Sequence, residues 1–220
     1  GVWVRQGWAH ESEEERGASH LLEHMVFKGT ENRTPKEIVM ALERLGGSLD
    51  AFTSREHTSY QARVMSEHLP VALDVVSDLV LHPLLREEDL ELEREVVLEE
   101  ISTVEDTPDD LVFDLHGELL WGEHPYGRPI LGSRDSVSNL EAETLRSLHR
   151  ERYRGGELIV AAAGELEHER IVETIAGRFG HLPDREPHPV PPAEHAMGGP
   201  EAERHVERET AQTHIVFGSR

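Results

Sequence analysis

The chain has 220 residues, 37% of them hydrophobic and 30% charged, and its apolar residues recur in periodic runs, the pattern of a folded, highly charged protein rather than a disordered one. Its formal net charge of −22, from 44 acidic and 22 basic residues, would repel nucleic acid, and no apolar run approaches the roughly 18 residues of a membrane span. There are no cysteines, which excludes disulfides, thiolate metal sites and cysteine nucleophiles, so any metal must be held by histidine and carboxylate.

Along the chain, "GVWVRQG" alternates, is β-branched and stops at Gly7, the pattern of a strand. "HESEEERGA" reads as an acidic loop leading into a helix over about 17–28, ended by Gly29. Thr34 and Pro35 form an N-cap with proline at the first helical position, and the helix that follows closes at Gly46-Gly47. "SLDAFTSREHTSYQARVM" predicts two strands about the turn Ser54-Arg55-Glu56, a hairpin.

"LPVALDVVSDLVLHP" has the 3.6-residue period and closes at His82-Pro83. A long helix spans "REEDLELEREVVLEEISTVED", with apolar positions at Leu90, Val97, Leu98 and Ile101, and "DDLVFDLHGELLWG" predicts another. After the turn-rich "HPYGRPILGS", the pattern predicts a helix over about 138–153, the strand "ELIVAAAG" and the helix "HERIVETIAGRFG". Residues 181–204 are rich in Pro, His and Glu and read as an exposed linker. Residues 205–220 resume strand character. The expected fold class is α+β: a mixed, largely antiparallel sheet with helices packed on one face, forming one domain over 1–220. The first and last residues both fall within strand-like runs, so the chain reads as a piece of a longer polypeptide.

The chemistry concentrates in "ASHLLEHMVFKGT", residues 18–30. On a helix, His20 and His24 share a face, with Cβ atoms about 6 Å apart, and can aim imidazole nitrogens at one metal ion. Glu23 lies beside them and can reach a metal-bound water without itself being a ligand. A zinc-bound water has its pKa lowered to about 7, and a neighbouring carboxylate can take its proton during attack on a carbonyl. The flanking residues Leu21, Leu22, Met25, Val26 and Phe27 are apolar, so the polar triplet sits on a buried element, where idle polar groups are costly. Read alone, the triplet is equally a chance pair of histidines on an acidic surface helix, because the chain has 15 histidines. It needs a third ligand.

H-x-x-E-H is an inverted zinc-peptidase motif, and this stretch resembles that of the pitrilysin, insulin-degrading enzyme and mitochondrial processing peptidase family. The resemblance extends to "ELEREVVLEEIS", where Glu100 stands 76 residues beyond His24, and implies that Glu100 is the third ligand. Glu93, seven residues earlier on the same helix face, matches the family's supporting acid, which sustains a ligand or the reaction without binding metal. "LGGSLDAFTSREHTSYQARV" resembles the family hairpin whose edge strand receives an extended substrate. Ala51, Phe52 and Thr53 are then the expected substrate-binding residues, and Asp50 stands where the family usually has asparagine. "HPYGRPILGS" and "ELIVAAAGEL" also match family segments.

The resemblance implies the zinc-binding half of a metalloendopeptidase, lacking its first strand and holding one zinc ion per chain. Its substrates would be unfolded peptides or oligopeptides, with Glu23 activating the water. It implies a partner as well, a second homologous half-domain or subunit, absent here, that helps bind substrate. A non-catalytic binding or assembly subunit of a two-subunit processing peptidase is the alternative. Such subunits typically lose part of the motif, whereas His20, Glu23, His24 and Glu100 are all present. His57, in the hairpin, could approach the site; the remaining histidines flank helices and turns or lie in the linker.

Overall fold

A computed structural model describes residues 1–184, 186, 188–190 and 203–218. The chain opens on β1 (Val2–Val4) and continues through α1 (Ala18–Val26), α2 (Pro35–Glu43), β2 (Ser48–Thr53), β3 (Thr58–Arg63), α3 (Leu69–Leu81) and α4 (Glu87–Asp106). It goes on through α5 (Pro108–Trp121), α6 (Arg134–Asn139), α7 (Ala142–Arg152), β4 (Leu158–Val160) and α8 (His168–Phe179). The four strands lie in the order β2-β3-β1-β4, and every pairing between them is antiparallel. Among the described residues, no helix is long and apolar enough to cross a membrane.

Register and residue type decide which face of this sheet is buried. Val2 stands opposite Tyr60 and Val160, and Tyr60 opposite Ala51, so these side chains share one face with Val4 and Leu49. On that face, Val2, Val4 and Tyr60 join one core with Leu21, Leu22 and Met25 of α1, Leu79 and Val80 of α3, Leu90 and Val97 of α4, and Leu145 and Leu148 of α7. The alternate positions, among them Asp50, Phe52 and Ile159, point the other way, and Ile159 is 67% exposed. Helices therefore cover one face of a four-stranded sheet, the α+β layering expected from the pattern.

Local chemistry sets the element ends. The Thr34 hydroxyl accepts from the Glu37 N–H while the Glu37 carboxylate accepts from the Thr34 N–H at 2.9 Å, a reciprocal cap ahead of Pro35. α4 carries Glu87, Glu88 and Asp89 in its first turn, where carboxylates meet the positive end of the helix dipole.

Three expectations are revised. The single helix expected over 138–153 is two, because Leu140 turns extended between α6 and α7. Its side chain is buried and its carbonyl accepts from Arg94 Nη2 at 2.7 Å, which compensates for leaving the helical ladder. The strand expected over "ELIVAAAG" shortens to Leu158–Val160, the residues that pair with Val2–Val4 of β1. The strand character expected over 205–220 does not become a strand within the described residues 203–218. Ile215 and Phe217 are 66% and 90% exposed, and among the described residues no strand lies beside the segment to satisfy its backbone groups. Of the expected linker, residues 185, 187 and 191–202 lie outside the described residues.

Candidate metal and catalytic site

α1 begins without a side-chain cap of its own. Gly17, at φ +88°, holds the N-cap position, a conformation that glycine adopts freely, and a Cβ there would meet the Leu131 carbonyl at 2.6 Å. The missing cap comes from the acidic loop. Glu11, 5% exposed, accepts from the Gly17 N–H at 2.9 Å and the Ser19 N–H at 2.7 Å, satisfying two orphan donors of the helix. Burial pushes the Glu11 carboxyl up to about 7 against the pull of those two bonds.

With Leu21, Leu22, Met25 and Val26 fully buried, α1 is held against the sheet and α4. His20, Glu23 and His24 then occupy its remaining face. α4 contributes through the face whose Leu90, Val97 and Ile101 are buried. From it Glu100 faces both histidines: Oε2 lies 3.8 Å from His20 Nε2 and Oε1 lies 3.8 Å from His24 Nε2. One donor atom from each of His20, His24 and Glu100 falls within 4.8 Å of the others. Zinc bonds of about 2.0–2.1 Å at tetrahedral angles set neighbouring donors roughly 3.4 Å apart, so a small side-chain adjustment brings these three into coordination.

A further observation fits a metal at this point. Burial, with His24 adding to it, lowers the His20 pKa to about 4, which leaves the ring neutral as a ligand must be. His24 is held from behind: its Nδ1 lies 3.2 Å from Glu93 Oε2. A carboxylate only accepts, so Nδ1 carries the proton and Nε2 keeps its lone pair toward Glu100.

Glu23 is close to this group but differently engaged. Its Oε2 accepts from the Thr53 hydroxyl at 2.5 Å. Burial raises the Glu23 pKa, and the Thr53 hydrogen bond opposes the rise. Thr53 ends β2, which among the described residues pairs with β3 alone and so forms one edge of the sheet, beside α1. An open cleft of about 340 Å³ runs between them, lined by Glu23, His24, Phe27, Lys28, Leu49, Asp50, Ala51 and Glu93.

The sequence-predicted residues thus divide as follows. His20, His24, Glu100, Glu23 and Glu93 come together, with Thr53 touching Glu23 and Ala51 lining the cleft. Phe52 projects from the opposite face of the sheet, 45% exposed. His57 packs edge-on to Phe52 with its Nδ1 at 2.8 Å from Ser54 Oγ, and it does not line the cleft. Three contributions were not foreseen: the Thr53 side chain on Glu23, the Glu11 cap, and Lys28, whose Nζ lies 2.6 Å from Glu93 Oε1. A lysine closing an apolar helical turn was the one available signal for the last.

Comparison with known proteins gives two family matches along the chain. Residues 1–134 match the family described as insulinase (peptidase family M16), and residues 139–219 match the peptidase M16 inactive domain. An uncharacterized zinc protease of Mycobacterium tuberculosis is 41% identical over 223 residues, covering 100% of this chain and 51% of its own length. The mitochondrial-processing peptidase subunit beta of Dictyostelium discoideum is 38% identical over 184 residues, 83% of this chain and 39% of that protein. In fold, a protease from Helicobacter pylori superposes with a TM-score of 0.80 at 24% identity, over 87% of this chain and 47% of the other. The chain spans about half the length of the curated zinc proteases it matches.

Proposed function

The chain belongs to the insulinase family, peptidase family M16, and from that premise we propose that it is the metal-binding part of a zinc-dependent endopeptidase acting on unfolded peptides. The observation that carries this reading is the convergence of donor atoms from His20, His24 and Glu100 within 4.8 Å, beside the Glu23 carboxylate. The zinc-protease names of its relatives support the choice of metal.

His20 and His24 would hold one zinc ion from α1, and Glu100 would hold it from α4. Bound there, zinc supplies a Lewis acid that polarises a carbonyl and lowers the pKa of its water to about 7. Glu93 fixes the His24 tautomer through its contact with Nδ1. Glu23 takes the proton of the attacking water and delivers it to the leaving amine, its carboxylate aimed by Thr53. The free edge of β2 offers backbone groups at Ala51, Phe52 and Thr53 to an extended peptide, which would add to the sheet as another strand. An extended backbone is required for that pairing, which favours unfolded over folded substrates.

A second homologous half, in the same polypeptide or in another subunit, would complete the peptide-binding chamber, and the 220-residue chain alone would bind zinc yet turn over slowly. The competing reading is a binding or assembly subunit, in line with the processing-peptidase subunit among the relatives. The two separate in the full-length protein by zinc content and cleavage of a fluorogenic peptide. Bound zinc with turnover that Glu23→Gln abolishes supports the peptidase. Bound zinc without turnover in the wild type supports the assembly role.

A further inference from the structure

We propose that Lys28 is a positioning residue for the metal site: its ammonium locks the Glu93 carboxylate in the orientation that holds His24 with Nε2 turned toward Glu100. This rests on the zinc reading above and adds a member to the site that the ligand pattern alone does not contain.

Glu93 is used through both oxygens. Oε2 faces His24 Nδ1 at 3.2 Å and Oε1 meets Lys28 Nζ at 2.6 Å. Its side chain is 9% exposed, so a lost partner is not simply replaced by bulk water. A carboxylate held at one oxygen can still swing about its terminal torsion; held at both, it cannot. The lysine thus turns a single contact behind His24 into a fixed strut.

The lysine is itself anchored. Its N–H donates to the Met25 carbonyl at 3.1 Å, and its own carbonyl accepts from Arg86 Nη2 at 3.0 Å. The next residue, Gly29, turns through φ +126° and accepts from the Leu84 N–H at 3.0 Å. Arg86 is in turn tied to Asp89 at 2.6 Å. The backbone that aims Lys28 is therefore braced by the loop entering α4, the helix that carries both Glu93 and Glu100. Charge argues in the same direction. Glu23, Glu93 and Glu100 place three carboxylates about the proposed zinc position, and among the described residues Lys28 pairs with Glu93. Its side chain is 35% exposed, so the Coulombic part is screened and geometry is its main contribution.

The test is a double-mutant cycle of K28M and E93Q in the full-length protein. It reads the zinc dissociation constant by chelator competition, the unfolding midpoint of the metal-free protein, and kcat and KM on a fluorogenic peptide. Loss of a group that orients a ligand typically costs 10–100-fold in metal affinity. K28M is expected to weaken zinc about tenfold or more under conditions where the metal-free protein is fully folded, even though leaving the buried Glu93 oxygen unpaired also lowers the metal-free midpoint. Combined with E93Q it should add little, since both act through the same strut. Wild-type zinc affinity in K28M overturns the inference, as does a loss that adds in full to that of E93Q. A raised KM with intact zinc affinity also overturns it, by making Lys28 a substrate contact in the cleft. K28Q carries the same cycle if K28M does not fold. A wild-type protein that binds no zinc overturns the metal reading itself, an outcome distinct from failure of Lys28 alone.

Discussion

Thr53→Val is the most informative single change to the proposed catalytic arrangement. It replaces a hydroxyl by a methyl of nearly the same shape at a residue only 8% exposed, so packing is conserved while the 2.5 Å donation to Glu23 Oε2 is lost. The hydroxyl also lies 3.4 Å from Thr58 Oγ1, a contact long enough to contribute little. A hydrogen bond to an ionised group contributes about 1.5–3 kcal/mol. If that energy serves to aim the base in the transition state, kcat should fall roughly 10- to 150-fold, at about 1.4 kcal/mol per factor of ten. The measurement is kcat and KM on a fluorogenic peptide with the full-length protein, at matched zinc content. Thr53→Ser, which keeps the donor, should recover most of the rate. A valine variant within twofold of wild type at equal zinc occupancy would refute the argument that Thr53 positions Glu23. A fall in kcat that tracked lost zinc instead would place its effect on the metal.

Other perturbations test neighbouring parts of the reasoning. Glu23→Gln should keep stoichiometric zinc by atomic absorption while losing about 10²–10⁴ in kcat, the usual contribution of a general base. His24→Ala should abolish zinc retention after dialysis, and a chelator should inactivate the wild type in a way that added zinc reverses. Gly7→Ala would put a Cβ 2.1 Å from the Ser54 carbonyl and 2.6 Å from that of Arg55. The hairpin turn must then move, at a cost of about 1–3 kcal/mol, and calorimetry should show a midpoint lowered by several degrees. For Glu11, the folded carboxyl at about 7 lies above its ordinary 4.5. Folding therefore favours the protonated form: its contribution is fully present below about pH 4.5 and is lost as pH rises through 7, a span of about 3 kcal/mol. Unfolding midpoints between pH 5 and 8 should accordingly fall less steeply in Glu11→Gln than in the wild type.

The fold was legible wherever periodicity and punctuation coincided. Thr34-Pro35 and Gly46-Gly47 bracketed α2 within a few residues, because a capping side chain and flexible glycines act locally. The helix over 138–153 was misjudged because its break depends on Arg94, which takes the Leu140 carbonyl from a distant helix and leaves no mark near Leu140. β4 was overextended because residue pattern alone does not say which residues find a partner, and only Leu158–Val160 pair with β1. At the site, the ligand pattern was readable because the helical spacing of His20 and His24 is a geometric statement in itself. That Glu100 lies opposite them came from resemblance, since no local rule links two helices so far apart in sequence. Side-chain engagements such as Thr53 with Glu23 and Lys28 with Glu93 depend on how the edge strand and the α1 terminus dock, which the pattern does not encode.

The donors of the proposed zinc site are split between α1 and α4, so a bound ion would also act as a cross-link. It would join positions 76 residues apart, His24 and Glu100. In the chain-entropy description used for disulfides, closing a loop of that size removes about 4–5 kcal/mol of freedom from the unfolded chain, provided the ion stays bound on unfolding. An ion that leaves on unfolding stabilises instead by mass action, in proportion to the logarithm of its free concentration. In both cases, metal would decide how long the protein lasts as well as whether it cuts, and in a chain without cysteine no disulfide can take its place.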